Sequence, residues 1–173
     1  RFRSGASFDG DADRVVMVDE NSQIVDGDAI LAICAKAMQR RGQLLNNRVV
    51  STVMCNYGFM LAMEQLGIEV VCSQVGDRYV IQDMQKHGAN LGGEQSGHII
   101  FLDHNTTGDG LVSAMQVLAV MVETGQKLSE LASIIQKYPQ TCVNVSVKAK
   151  PPLHTLEKVS GLISHIEHTL KGK

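Results

Sequence analysis

The sequence has no tryptophan, and its other aromatics are three tyrosines and four phenylalanines. That is too few for the stacked platforms on which single-stranded nucleic acids lie. A charge excess is missing too: 16 basic residues face 18 acidic ones, a net charge of −2, so there is no basic footprint of a nucleic-acid binder. The longest apolar run, Leu111 to Val122, is broken by Ser113 and Gln116 and is too short to span a bilayer. The N-terminus, Arg1-Phe2-Arg3-Ser4, lacks the apolar segment of a secretory signal. Cys34, Cys55, Cys72 and Cys142 form no Cys-x-x-Cys pair, and each sits in an apolar run. Buried free thiols in a reducing, cytoplasmic compartment are therefore expected.

What is present supports a core: 44% of 173 residues are hydrophobic, enough for one domain or one and a half. Residues 1–7 are charged, small and patternless, with hardly room for a strand. A strand at 15–19, a turn at 20–22 and a hairpin return at 23–25 follow. A helix over 28–41 is expected, with Asp28 as N-cap and Gly42 as its stop, because Ile30, Leu31, Ile33, Cys34, Ala37 and Met38 keep the helical period. Capping explains Asp26 and Asp28 better than a second metal site does. Strands at 48–54 and 68–72 flank a helix ending at Leu66, a β-α-β pattern that implies parallel strands.

A helix over 77–87, a strand at 99–102 and a helix over 111–124 come next. The last is apolar nearly all round, so deep burial is expected. An amphipathic helix over 128–138 precedes Pro139. Val143, Val145 and Val147 then alternate with polar residues as a half-exposed strand, and Leu156–Leu170 is a helix carrying His165 and His168. That pair lacks a third ligand and reads as surface histidines. A domain junction is placed near residue 140.

The most informative stretch is Asp9-Gly10-Asp11-Ala12-Asp13-Arg14. In a straight strand Asp9 and Asp13 would stand roughly 13 Å apart, too far for one hard cation with oxygens at about 2.0–2.6 Å. The stretch must therefore curl if it binds a metal, and Gly10 makes the curl feasible. An acidic surface turn is the plainer alternative, but three alternating carboxylates with no Lys between them repel one another. A calcium EF-hand fails because Arg14 stands where the sharp turn needs Gly.

Two further stretches hold ligand-type residues. In Val75-Gly76-Asp77-Arg78, Asp77 is suited to cap the helix, and Arg78 is either a solvated arginine or a cation at an anion-binding helix start. Gly93-Glu94-Gln95-Ser96-Gly97-His98 sets hydroxyl and phosphate partners among glycines, an inventory suited to a sugar or to a polar hairpin loop.

Taken together, the aspartate loop resembles the metal loop of the α-D-phosphohexomutases, and Gly93–His98 resembles their sugar-binding loop. Val75–Val80 and Thr106-Thr107-Gly108-Asp109-Gly110 fit the same order, so the resemblance runs from Phe8 to about Val147. It implies a three-layer α/β/α domain with a mixed, largely parallel sheet. Residues 1–25 would end domain 2 with the metal loop, 26–139 would form domain 3, and 140–173 would begin domain 4. The implied reaction interconverts glucosamine 6-phosphate and glucosamine 1-phosphate through a phosphoserine and a bisphosphate.

By the same resemblance, Asp9, Asp11 and Asp13 would hold Mg²⁺, and Arg14 would be the catalytic cation. Glu94, Ser96, His98 and Arg78 would bind the hexosamine phosphate substrate. The partners implied are domains 1 and 4 of the same enzyme, with no nucleic acid and no membrane. No serine here stands in the family's nucleophile loop, and residues 1–7 depart from its apolar strand, so a truncated piece that is inactive alone is expected. A sibling mutase for mannose or glucose phosphate, and a non-catalytic metal-binding module, are the alternatives.

Overall fold

The computed structural model describes residues 4–143 and 145–170, which divide into two compact units, 1–140 and 141–173. The first unit opens with an antiparallel meander of β1 (Gly5–Phe8), β2 (Val15–Val18) and β3 (Ile24–Val25). Ladder pairing needs only backbone groups, so β1 joins β2 in the register Gly5↔Val18 to Phe8↔Val15 although its side chains are exposed. The expectation that the N-terminus has no room for a strand is thus corrected; residues 1–3 lie outside the described residues.

Next come α1 (Gly27–Arg40), β4 (Arg48–Thr52), α2 (Tyr57–Gln65), β5 (Glu69–Ser73), α3 (Asp77–His87), β6 (Leu91–Gly93) and β7 (Ile99–Phe101). The sheet order is β5-β4-β6-β7, with β4 parallel to both neighbours and β7 antiparallel to β6. Strand alternation sorts the core. Val49, Leu91, Ile99 and Phe101 meet α1 and α2 on one face, while Val50 and Ile100 meet Val80 and Met84 of α3 on the other. The result is a three-layer α/β/α arrangement. Val15, Met17 and Val25 share the larger cluster, so the meander is anchored to the same core.

The N-cap of α1 is Asp26, whose side chain accepts from the Ala29 N–H at 3.2 Å. Asp28, expected to cap, is instead buried in the first turn and accepts from the Asn56 N–H at 2.7 Å. The Asn56 side chain caps α2 by accepting from Gly58 N–H at 3.0 Å. It also accepts from Tyr138 N–H at 3.0 Å and donates to Tyr138 O at 2.8 Å.

That pair of hydrogen bonds to Tyr138 accounts for a second difference from expectation. The helix expected over 128–138 stops early, as α5 (Leu128–Ala132). The chain beyond it turns at 133–134 and then runs without helix against α2, where Gly58 leaves room for the Gln136 carbonyl. The helix α4 (Gly110–Thr124) also departs from expectation. It buries Ala114, Val117, Val120 and Met121 but leaves Leu111, Met115, Leu118 and Val122 exposed, because this unit covers only one of its faces.

Cys34 and Cys55 are buried, but Cys72 and Cys142 are exposed; all four are free thiols. In the second unit, Val143, Val145 and Val147 form no strand among the described residues, and Asn144 lies outside them. Helix α6 (Glu157–Leu170) is present, and its His165 and His168 are exposed. Among the described residues no helix is long and apolar enough to cross a membrane.

Burial pushes the Asp28 carboxyl from 3.8 to about 6, against the lowering effect of the Asn56 N–H. A carboxyl whose folded value is raised binds its proton more tightly in the native state, so stability falls as pH rises from about 4 to about 6 and is level above. In denaturant titrations, Asp28→Asn should flatten that slope. At pH 7 it should be more stable than the parent by up to ~3 kcal/mol, the full value of the shift. A less stable variant at pH 7 would show that the charge itself holds α1 to α2.

Candidate functional site

Three loops meet at one end of the first unit. The aspartate loop leaves β1 in a tight turn closed by Ala12 N–H to Asp9 O at 3.2 Å, and the Asp9 side chain accepts from Arg14 N–H at 3.2 Å. Ala12, not Gly10, takes the left-handed backbone conformation at φ 59°. The curl brings oxygens of Asp9, Asp11 and Asp13 within 4.8 Å of one another, where a straight strand would have separated them. Arg14 Nε lies 3.9 Å from Asp9 Oδ2 and 3.9 Å from Asp13 Oδ1.

The second loop links β6 to β7. It closes through Glu94 N–H to His98 O and Gly97 N–H to Glu94 O, both 3.0 Å. The chain then bridges the first loop: Arg14 pairs antiparallel with His98, and Val15 N–H donates to Gly97 O at 3.1 Å. Gly97 has φ 96°, and any Cβ there would overlap the Val15 carbonyl oxygen. On its other side the loop accepts Gly27 N–H at Gln95 O, 3.0 Å, where a Cβ on Gly27 would overlap Glu94 O.

The third loop, 105–110, ends at Asp109, the N-cap of α4, which accepts from Val112 N–H at 2.9 Å. Gly110 N–H donates to Ala12 O at 2.9 Å, and Gly108 lies against the His98 ring, where a Cβ would overlap it.

Of the residues singled out from sequence, Asp9, Asp11, Asp13, Arg14, Glu94, Ser96 and His98 are thereby gathered together. Ser96 is exposed, and its hydroxyl is 3.4 Å from Glu94 Oε2. Glu94 is buried rather than displayed on an open loop, and it accepts from Gly76 N–H at 2.9 Å. His98 is fully buried, its Nε2 3.6 Å from Asp13 Oδ2 and 3.6 Å from Asp77 Oδ2. Arg78 is exposed on the first turn of α3, with no carboxylate partner among the described residues.

Asp77 is the residue whose place sequence reasoning missed. Gly76, not Asp77, occupies the N-cap of α3, and the Asp77 carboxylate turns to His98. The Gly-Asp pair at 76–77, echoed at 108–109, was the available signal.

The crowded carboxylates perturb one another. Desolvation, the nearby Asp9 carboxylate to which a protonated Asp13 can donate, and the charges of Asp11 and Asp9 raise Asp13 above the ordinary carboxylate range, with His98 opposing. Desolvation acts upward on Asp9 too, but the Arg14 N–H, the Asp13 carboxyl and the Arg14 charge bring it below that range. Two exposed carboxylates and a half-buried third, with oxygens within 4.8 Å of one another, make a donor set of the kind a hard cation takes. The neighbouring Glu94 and Ser96 offer hydroxyl partners, and Arg14 and Arg78 offer anion partners.

Known proteins match this chain over most of its length. Residues 26–138 match the model for phosphoglucomutase/phosphomannomutase, alpha/beta/alpha domain III. The chain is 65% identical over 166 residues to the phosphoglucosamine mutase of Protochlamydia amoebophila, covering 96% of this chain and 36% of that protein. It is 55% identical to the phosphoglucosamine mutase of Chlamydia caviae over the same shares. The chain thus spans little more than a third of these relatives. Among solved structures, a phosphoglucomutase/phosphomannomutase family protein of Burkholderia thailandensis superposes with a TM-score of 0.68 at 25% identity, over 78% of this chain and 29% of that one.

The glycine contacts give a stability test. Gly97→Ala should cost at least ~2 kcal/mol in denaturant unfolding, because both its backbone angle and its space are unavailable to Ala. Gly10→Ala, with nothing within 4 Å of the new Cβ, should change stability by less than ~0.5 kcal/mol. Equal effects at the two positions would refute the close approach at Val15.

Proposed function

Because the chain belongs to the phosphoglucomutase/phosphomannomutase family, we propose that it carries the metal-binding and sugar-binding portion of a phosphoglucosamine mutase. The reaction interconverts glucosamine 6-phosphate and glucosamine 1-phosphate by two phosphoryl transfers through a bisphosphate. One observation carries the reading: the Arg14–His98 bridge sets the aspartate loop directly beside the glycine-rich loop. The names and identities of the relatives support it.

The aspartate loop fits Mg²⁺ by its donors, three carboxylates with oxygens within 4.8 Å. In this reading Asp9, Asp11 and Asp13 hold the ion, which when bound supplies neutralising charge to the phosphoryl group in transfer. Arg14 places a second cation on that side, and Arg78 offers another at the start of α3. Glu94 and Ser96 orient the sugar through its hydroxyls, Glu94 being held in place by Gly76 N–H. His98 stands behind Asp13 and supports the metal loop.

The phosphoryl carrier is a serine that is not one of this chain's. In the longer protein, residues 1–25 belong to domain 2, 26–139 to domain 3 and 140–173 to domain 4. The setting is cytoplasmic amino-sugar supply for peptidoglycan. The family model's own description favours one second reading, a sibling acting on glucose or mannose phosphate.

Calorimetry on the chain should show weak Mg²⁺ binding, abolished in Asp11→Asn; submicromolar Ca²⁺ binding would overturn the assignment. In a protein of the relatives' full length carrying this segment, Glu94→Gln should lower glucosamine phosphate turnover by at least ~10² with little change in melting. Glu94→Ala should also destabilise by about 1–3 kcal/mol, since Gly76 N–H loses its acceptor. Preference for mannose or glucose phosphate over the amino sugar would select the sibling. Given glucosamine 6-phosphate, Mg²⁺ and a sugar bisphosphate, the chain alone should give no product above background.

A further inference from the structure

We propose that Asp13, Asp77 and His98 form a second divalent-cation site, suited to a borderline ion of the Zn²⁺ class, beside the aspartate loop and sharing Asp13 with it. The His98 imidazole is fully buried, yet neither ring nitrogen has a hydrogen-bond partner among the described residues. A buried polar group in that condition calls for a partner that the protein itself does not supply. Its Nε2 lies 3.6 Å from Asp13 Oδ2 and 3.6 Å from Asp77 Oδ2, too long for hydrogen bonds. One ligand atom from each of the three residues falls within 4.8 Å of the others.

Those separations suit an ion in the middle. Around a tetrahedral ion with bonds of about 2.1 Å, neighbouring donors stand about 3.4 Å apart. An octahedral Mg²⁺ would draw them to about 3.0 Å. Donor chemistry points the same way, since imidazole suits Zn²⁺ whereas Mg²⁺ keeps to oxygen.

Asp13 is placed to serve both sites. Its Oδ1 faces Arg14 Nε at 3.9 Å and has no hydrogen-bond partner, while its Oδ2 faces His98. The three ligands come from three segments: Asp13 from the aspartate loop, Asp77 from the first residue of α3, and His98 from the end of the glycine-rich loop. His98 is fixed by the Arg14 bridge and by Gly108 packed against its ring. An ion there ties the aspartate loop to α3.

The test is Zn²⁺ titration of the whole chain by calorimetry in excess Mg²⁺, with no turnover involved, so it is read separately from the mutase assignment. One Zn²⁺ site should survive in Asp11→Asn and weaken at least tenfold in both Asp77→Asn and His98→Gln. Asp77 is a half-exposed helix-start residue, so its Asn variant keeps the result readable if His98→Gln fails to fold. Co²⁺ in place of Zn²⁺ should give the visible absorption of a low-coordinate site, lost in Asp77→Asn. The proposal is overturned by any of four results: no binding tighter than that of Mg²⁺, which leaves a simple His98–carboxylate pair; binding indifferent to Asp77→Asn; binding lost in Asp11→Asn, which means one site only; or binding lost in His165→Gln, which moves the ion to α6.

Discussion

The close approach of two backbones, at Arg14–Val15 and Gly97–His98, is the constraint on which the rest of the first unit depends. It is made by main-chain groups, so it fixes position without spending side chains. It also demands empty space. Gly97 admits the Val15 carbonyl, Gly110 the Ala12 and Arg14 carbonyls, Gly108 the His98 ring, and Gly27 the back of the glycine-rich loop. Each of these glycines would be easily replaced on an open surface; here each marks a place where one segment lies on another.

Around that junction the protein accepts electrostatic cost. Asp9, Asp11, Asp13 and Asp77 are held near one another with Arg14 and a buried histidine. Asp9 is lowered and Asp13 raised, the opposed shifts of two carboxyls held close together. Such local conflict is tolerated because the apolar cluster beneath it, from Val15 and Met17 through α1 to α4, over-determines the loop positions.

The elements were largely legible in the sequence because period and punctuation are local. Helix α1 follows the spacing of its apolar residues, and α3 and α4 stop at Gly88 and Gly125, both left-handed at φ 66° and 68°. The early end of α5 was not legible, since it follows from hydrogen bonds to Asn56, remote in sequence. Nor was the half-exposure of α4, because an apolar face reports a wish for burial and not whether a neighbour is there to provide it.

By itself the sequence determined the α/β pattern, the three candidate loops and their donor chemistry, because turn residues, periodicity and the acid-Gly-acid spacing all act within a few residues. Only the tertiary structure decided that the loops converge and that the curl comes from Ala12. It also decided that Asp26 and not Asp28 caps α1, that Glu94 and His98 are buried, and that Asp77 faces His98. Those outcomes depend on which backbone groups find partners across the fold, and pairing between distant segments leaves no trace in the local pattern of either one.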